Sequence, residues 1–198
     1  AMTMRLVETA DDVFSVTGEG YDPTGDFKRG DENVEKLPTA LVRLLATGTI
    51  CNTAVLDTSG PAPKVVGDPT EAALVTLALK GGVQREALLA AVEVETELPF
   101  DSDRKRMTII VKSSDGTRLA HVKGSPDLLL PLCTHVLRAE GRVELSETER
   151  QRLIARNEEH ASQALRVLAL AERESPDHAD PESGLTFLGF AAMIDPPR

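Results

Sequence analysis

Leu98-Pro99-Phe100-Asp101-Ser102-Asp103-Arg104-Lys105-Arg106-Met107-Thr108-Ile109-Ile110-Val111 and, after a short turn, Leu119-Ala120-His121-Val122-Lys123-Gly124-Ser125-Pro126-Asp127 form the stretch on which the fold turns. The spacing predicts a strand ending at Phe100, a polar loop of about four residues, and a second strand from Lys105 whose β-branched residues favour a pleated, buried surface. Closed as a hairpin, that loop makes Phe100 and Lys105 cross-strand neighbours. Asp115-Gly116 turns the chain into a third strand that ends at Lys123-Gly124. Ser125 then caps a helix from Pro126 to Cys133, with Asp127 complementing its dipole. Three strand ends would thus gather one aromatic ring, two lysines and a helix amino terminus, a corner suited to a phosphorylated, flat, aromatic ligand.

Each residue also has a plainer reading. A strand Phe is ordinarily core, the Asp-Ser-Asp-Arg-Lys-Arg run a solvated loop, and Ser-Pro-Asp a common helix start. The combination carries more weight, because the chain has five Phe, one Tyr and no Trp, and one of those scarce rings abuts the densest charge cluster.

The totals set the frame. With 198 residues, 41% hydrophobic and 27% charged, the chain suffices for one good-sized domain with a proper core. No apolar run approaches a membrane-spanning helix and no signal peptide is visible, so the chain reads as soluble, as a cytoplasmic domain cut from a membrane protein would. A formal net charge of −10 argues against a nucleic-acid partner. It also means that a polyanionic ligand needs Arg104, Lys105, Arg106, Lys123 and Arg166 concentrated where it docks. Cys51 and Cys133 make no disulfide framework, and neither they nor His121, His135, His160 and His178 form a metal-ligand motif. Two free thiols in a reducing cytosol are the plain inference.

Around the central stretch, Met4 to Glu8 and Val13 to Thr17 read as a hairpin, followed by a Gly/Pro/Asp-rich loop from Gly18 to Gly30. Leu37-Pro38 opens a helix carrying Leu41, Leu44 and Leu45 as far as Gly48. Cys51 to Asp57 and Lys64 to Val66 read as short strands about Ser59-Gly60-Pro61. Asp68-Pro69-Thr70-Glu71 resembles a capping box, with Asp68 as cap and Glu71 reaching back to the free amides, on a helix to about Lys80. A second helix runs from Gln84 to about Val92. His135 to Ala139 is a strand, and Ser146 with Glu149 forms a capping box on a long helix to about Leu165. Arg166 to Ala171 is an alternating strand whose first residue sits at a helix-to-strand junction, Ser175 to Gly184 a surface loop, and Leu185 to Ile194 a final apolar strand. Asp195-Pro196-Pro197-Arg198 cannot extend a sheet interior, because proline donates no ladder hydrogen bond.

Gly67-Asp68-Pro69-Thr70-Glu71-Ala72-Ala73-Leu74, Phe100 to Met107, Lys123-Gly124-Ser125-Pro126-Asp127, Leu165-Arg166-Val167-Leu168-Ala169 and Ile194-Asp195-Pro196-Pro197-Arg198, in this order, resemble the nucleotide-binding domain of P-type cation-transporting ATPases, the branch of the calcium and sodium/potassium pumps. The resemblance implies an α+β fold: one domain over residues 1–198, a mainly antiparallel twisted sheet of about six to seven strands flanked by helices. Residues of about 1–8 and 194–198 would lie near hinges to an absent phosphorylation domain. It also implies that Glu71, Phe100, Lys105, Lys123, Gly124, Arg166 and Leu168 bind ATP, with Ser102 and Arg104 at its edge. Phe100 would stack on adenine, Glu71 and the stem of Lys123 border the ring, and Lys105 and Arg166 face ribose and phosphates. Some relatives carry Arg where this chain has Ser102, so that contact is lost here or Arg104 or Arg106 replaces it.

Further implied are Mg-ATP as ligand, with magnesium mainly at the absent phosphorylation domain, and phosphorylation and actuator domains as partners. The domain would be a monomer in isolation without membrane contact, inside an integral membrane pump whose first-guess cargo is calcium, with sodium, potassium and manganese open. Thr17-Gly18-Glu19 and Thr24-Gly25-Asp26 match short motifs of other pump domains, fall among the first strands and turns, and receive no catalytic role. No P-loop, dinucleotide fingerprint or Asp-Lys-Thr-Gly-Thr sequence is present. The expectation is therefore ATP binding without turnover, at sub-millimolar to millimolar levels. The competing readings are a fold-retaining interaction domain without nucleotide affinity, and a free-standing kinase or hydrolase.

Overall fold

The computed structural model of the chain describes residues 1–195. In chain order it runs β1 (Thr3–Glu8), β2 (Val13–Val16), β3 (Phe27–Arg29), β4 (Glu32–Asn33), α1 (Thr39–Ile50), β5 (Val55–Asp57), β6 (Lys64–Val66), α2 (Pro69–Lys80), α3 (Arg85–Ala90), β7 (Val92–Leu98), β8 (Arg106–Ser113), β9 (Arg118–Gly124), α4 (Pro126–Leu129), β10 (Cys133–Arg138), β11 (Gly141–Glu144), α5 (Glu147–Ser162), β12 (Arg166–Glu174) and β13 (Leu185–Ile194). The main sheet has the order β4-β3-β2-β1-β13-β12-β9-β8-β7, antiparallel throughout. β10 joins β13 in parallel and carries β11 beside it.

The expected antiparallel sheet with flanking helices is therefore the observed one. It is wider, eleven strands against six to seven, because the short β2, β3 and β4 extend one edge and the β10–β11 hairpin branches from β13. A separate ribbon, β5 with β6, stands outside it.

The period of two along β12 explains why its centre is covered on both faces. Leu168 and Leu170 join Leu41, Leu44, Leu74 and Leu77 of α1 and α2 on one side. Val167, Ala169 and Ala171 join Leu129 and Leu153 of α4 and α5 on the other. Phe187 and Phe190 of β13 meet edge to face on that second side, with ring centroids 4.9 Å apart.

Several boundaries move, each for a local reason. Helix α1 continues past Gly48 to Ile50, and Cys51 to Ala54 is not strand. Asn52 instead donates to the carbonyls of Gly48 and Glu71 at 3.1 and 2.7 Å. The helix expected from Pro126 to Cys133 is four residues of α4 and a 3-10 turn over Leu130–Leu132, and the Ser125 side chain makes no capping bond. Pro131 lacks the N–H that a continuing helix needs. Helix α5 stops at Ser162 and Ala164 takes a left-handed φ of 62°. Strand β12 runs on to Glu174, paired with Leu119.

The two capping boxes are half formed. The Asp68 carboxylate accepts from the amides of Thr70 and Glu71 at 2.8 and 3.1 Å, and the Ser146 hydroxyl from that of Glu149 at 3.1 Å. The glutamates do not reach back. Glu149 pairs with Arg152 and Arg138, and Glu71 with groups described below. Of the terminal Asp195-Pro196-Pro197-Arg198 segment, the last three residues lie outside the described residues.

Candidate functional site

Four segment ends meet at one edge of the sheet: the starts of α2, β8 and β12 and the end of β9. The register does this, since Gly124 pairs with both Arg106 of β8 and Ala169 of β12. A Cβ on Gly124 would stand 2.6 Å from the Lys105 carbonyl oxygen and 2.8 Å from Arg106 Cβ, so the absent side chain is what lets β8 approach. At this edge lies a cleft of about 280 Å³. Glu71, Phe100, Lys123, Gly124, Arg166 and Leu168, all expected at the site, line it together with Asp68 and Thr70.

Phe100 stands out. Phe14, Phe27, Phe187 and Phe190 are buried, whereas Phe100 is 58% exposed. Leaving a phenyl ring in water forgoes roughly 1.5–3 kcal/mol of burial, so no packing of the core accounts for its place. The expected pairing of Phe100 with Lys105 is corrected. The β7–β8 register, carried beyond its last pair Leu98–Thr108, sets Phe100 opposite Arg106. Lys105 closes the turn, donating its amide to the Asp101 carbonyl at 2.8 Å in a left-handed conformation of φ 53°.

The floor is an ion pair, buried at Lys123 and half-buried at Glu71. Lys123, 6% exposed, donates through Nζ to Glu71 Oε2 at 2.5 Å and to the Cys51 carbonyl. Glu71 accepts further bonds from the Thr53 amide at 3.0 Å and hydroxyl at 2.8 Å. Burial alone would raise the Glu71 carboxyl, but the ammonium of Lys123 and the bonds from Lys123 and Thr53 outweigh it and hold the group below its usual range. Three of about four lone-pair sites are thus used and one remains.

The guanidinium of Arg166 donates to the neutral Thr70 hydroxyl at 3.2 Å. Lys105, Ser102 and Asp103 are exposed, outside the set that lines the cleft. Arg104 and Arg106 are committed elsewhere, both to Glu182. Neither is therefore a spare cation that replaces an arginine at Ser102. Among the described residues, the cations near the cleft without a carboxylate partner are Arg166 and Lys105.

Thr53, Thr70 and Glu182 escaped the sequence reading. Thr70 sits inside a quoted motif, and a hydroxyl directly before Glu71 was available as a signal. Thr53 and Glu182 carry none, since each acts across a long sequence separation. Among the described residues no group of three His, Cys, Asp or Glu side chains is placed to hold a metal.

The site is thus an antiparallel sheet whose hairpin offers an exposed phenyl ring over a Lys–Glu floor, with a guanidinium that has no carboxylate partner beside it. The profile of the P-type ATPase cytoplasmic domain N matches residues 40–198, and the chain belongs to that family. Over its whole length the chain is 36% identical to a calcium-transporting ATPase of Bacillus subtilis and 38% identical to a cation-transporting ATPase of Synechocystis, covering 23% of each. It is 33% identical to the human calcium-transporting ATPase type 2C member 1, of which it covers 21%. The chain thus spans between a fifth and a quarter of the length of these relatives.

Proposed function

We propose that the cleft holds the adenosine half of ATP and that the phosphates run out toward Arg166 and Lys105. The observation that carries this reading is the exposed Phe100 ring at the mouth of a cleft with a polar, buried floor. A base stacked on such a ring gains roughly 1–3 kcal/mol. The exocyclic amine of adenine suits the remaining lone pair of Glu71, and the aliphatic stem of Lys123 and Leu168 give the ring apolar edges. Lys123 contributes shape rather than free charge, because Glu71 already neutralises it. The phosphates fall to Arg166, whose fork suits an oxyanion, and to Lys105.

In a whole pump the domain would present the γ-phosphate to an aspartate of a neighbouring phosphorylation domain, and an actuator domain would complete the cycle. The pairing of Thr3 with Ile194 supports an inserted domain, since two hinges leaving adjacent strands lie side by side. Calcium as the pump's cargo is supported by the names of several relatives. No helix among the described residues is long and apolar enough to cross a membrane, so membrane segments of that pump would lie elsewhere. Magnesium would arrive on the phosphates, a reading supported by there being no group of three His, Cys, Asp or Glu side chains placed for a metal among the described residues.

The test is an amide-shift titration of the 198-residue chain with ATP. Saturable shifts at Glu71, Phe100–Lys105 and Lys123–Gly124 are expected, with a sub-millimolar to millimolar Kd. Phe100→Ala should weaken binding about tenfold, and the purified chain should release no ADP. Absence of shifts at several millimolar ATP would end the nucleotide reading and leave an interaction domain.

A further inference from the structure

Glu182 lies in the Ser175–Gly184 loop, whose proline, aspartate and serine content marks a surface connection, yet it is only 7% exposed. Its carboxylate accepts from Arg104 Nη2, from Arg106 Nε at 3.1 Å and from Thr108 Oγ1 at 2.5 Å. Arg104 precedes Lys105 in the turn, and Arg106 and Thr108 follow it on β8. The same Arg104 guanidinium donates to the carbonyl of Pro99, the residue before Phe100, at 3.3 Å. One buried acceptor therefore grips the segment after the ring directly and, through Arg104, reaches the residue before it.

The anchor is itself held. Arg173 of β12 donates to the Ser183 carbonyl at 2.6 Å and to its hydroxyl at 3.0 Å, and Arg118 of β9 donates to the Pro176 carbonyl at 2.9 Å. The turn's own bonds, from the amides of Asp103 and Arg104 to Asp101 Oδ1 at 2.9 and 2.6 Å, set its shape. They do not set where it stands over the cleft. A carboxylate shared by two guanidiniums and a hydroxyl does, because it ties three alternate residues of one segment to a single acceptor on the neighbouring loop.

We infer that Glu182 is a positioning residue for the ligand cleft: by clamping Arg104, Arg106 and Thr108 it fixes the turn that presents Phe100 to the base. This rests on the adenosine reading given above. The carboxyl's own state fits. Burial would raise its pKa, but the bonds from Thr108 and Arg104 and the charges of Arg106 and Arg104 hold it below the usual range, so the clamp is ionised at neutral pH.

The sign of one substitution separates positioning from bulk electrostatics. Glu182→Gln removes a negative charge from the neighbourhood of a polyanion, which by itself tightens ATP binding. Loss of a preorganised ring weakens it, and weakens adenosine equally, since adenosine stacks without phosphates. The experiment is amide-shift titration of wild-type and Glu182→Gln chains with ATP and, separately, with adenosine. Expected is a loss of about fivefold for both ligands, with sheet amide shifts unchanged and the amides of residues 101–105 losing order in relaxation measurements. Glu182→Asp, one methylene shorter but still ionised, should recover part of both affinities. If Glu182→Gln fails to fold, Arg104→Lys keeps the charge, loses the fork and should give the same paired weakening.

ATP binding by Glu182→Gln that is unchanged or tighter overturns the inference, as does weakening of ATP without adenosine. A wild-type chain that binds neither ligand overturns the cleft reading itself, and this inference with it.

Discussion

Lys123 shows how a residue chosen for a ligand also holds the fold. Its ammonium is out of water, and the Cys51 carbonyl and Glu71 carboxylate are what make that tolerable. Removing Lys123 leaves the part-buried Glu71 carboxylate with only its Thr53 bonds, at a cost of about 1–3 kcal/mol. Lys123→Met should lose that much in urea unfolding, and adding Glu71→Gln should restore part of it. Loss of ATP binding by a Lys123 variant therefore needs a stability measurement beside it. His121 gives the pH counterpart. It is buried, bonded to the Thr47 hydroxyl at 2.7 Å, and pushed down to about 4 by burial and by the charge of Arg43, which also holds Glu172 opposite it. The folded state then takes its proton at lower pH than the unfolded chain, whose value is about 6.5. Stability is whole above pH 6.5 and falls as the pH drops toward 4. Between pH 7 and pH 5 this residue should remove about 2 kcal/mol, a slope absent in His121→Gln when urea midpoints are compared. Glu71 and Glu182, both held below the usual carboxylate range, keep their contributions until lower pH, which leaves this window to histidine. The two thiols are shielded as well, since burial pushes both Cys51 and Cys133 up to about 12. Neither should alkylate in the native chain at pH 8, and both should on denaturation.

At the scale of elements, the cleft exists because Gly124 lets β8 lie close to β9. Gly124→Ala drives a methyl into the backbone at Lys105 and Arg106, and should cost about 1–3 kcal/mol in urea unfolding while weakening ATP several-fold by displacing the Phe100 turn. Asp68→Ala, by contrast, removes one cap from α2 and should cost about 1 kcal/mol. Such elements were legible in the sequence because their causes are local: the alternation of β8, the Asp115-Gly116 turn, the Asp68-Pro69 start, the apolar run of β13. Six cleft residues were reachable through motifs whose spacing the register converts into proximity. What stayed hidden is long-range. Glu71 was expected to border the ligand and to reach back to the helix amides, but its bonds to Thr53 and Lys123 were not foreseen because those partners lie on other segments. Arg104 and Arg106 read as free cations because Glu182 belongs to a loop with no apolar pattern to mark it as buried. The parallel docking of β10 on β13 likewise leaves no period or turn signal, and Ser125 looked like a cap although its side chain makes no capping bond.

For the whole molecule, the placement of β1 decides which parts can be spared. It lies inside the sheet between β2 and β13, buries Met4 and Val7, and carries Glu8, whose enclosed carboxylate holds Arg156 and His160 of α5. One strand near the amino terminus thus ties β13, the short edge strands and the long helix on the opposite face into one body. The β5–β6 ribbon is the contrast: three residues per strand, outside the main sheet, with Val55 and Val66 exposed. Both segments are short, so length does not distinguish them; connectivity does. Replacing Leu56 through Val65 by Asn-Gly keeps the Val55–Val66 pair and closes it with a two-residue turn, and should leave urea stability within about 1 kcal/mol of the parent. Deleting residues 1–8 should abolish the cooperative urea transition altogether, because the sheet loses an interior strand and α5 loses the carboxylate that Arg156 and His160 share. Circular dichroism across a urea series on both chains decides the matter: a sharp, single transition surviving in the 1–8 deletion would show that β1 is dispensable, and that the two chain ends need not be held together by the sheet.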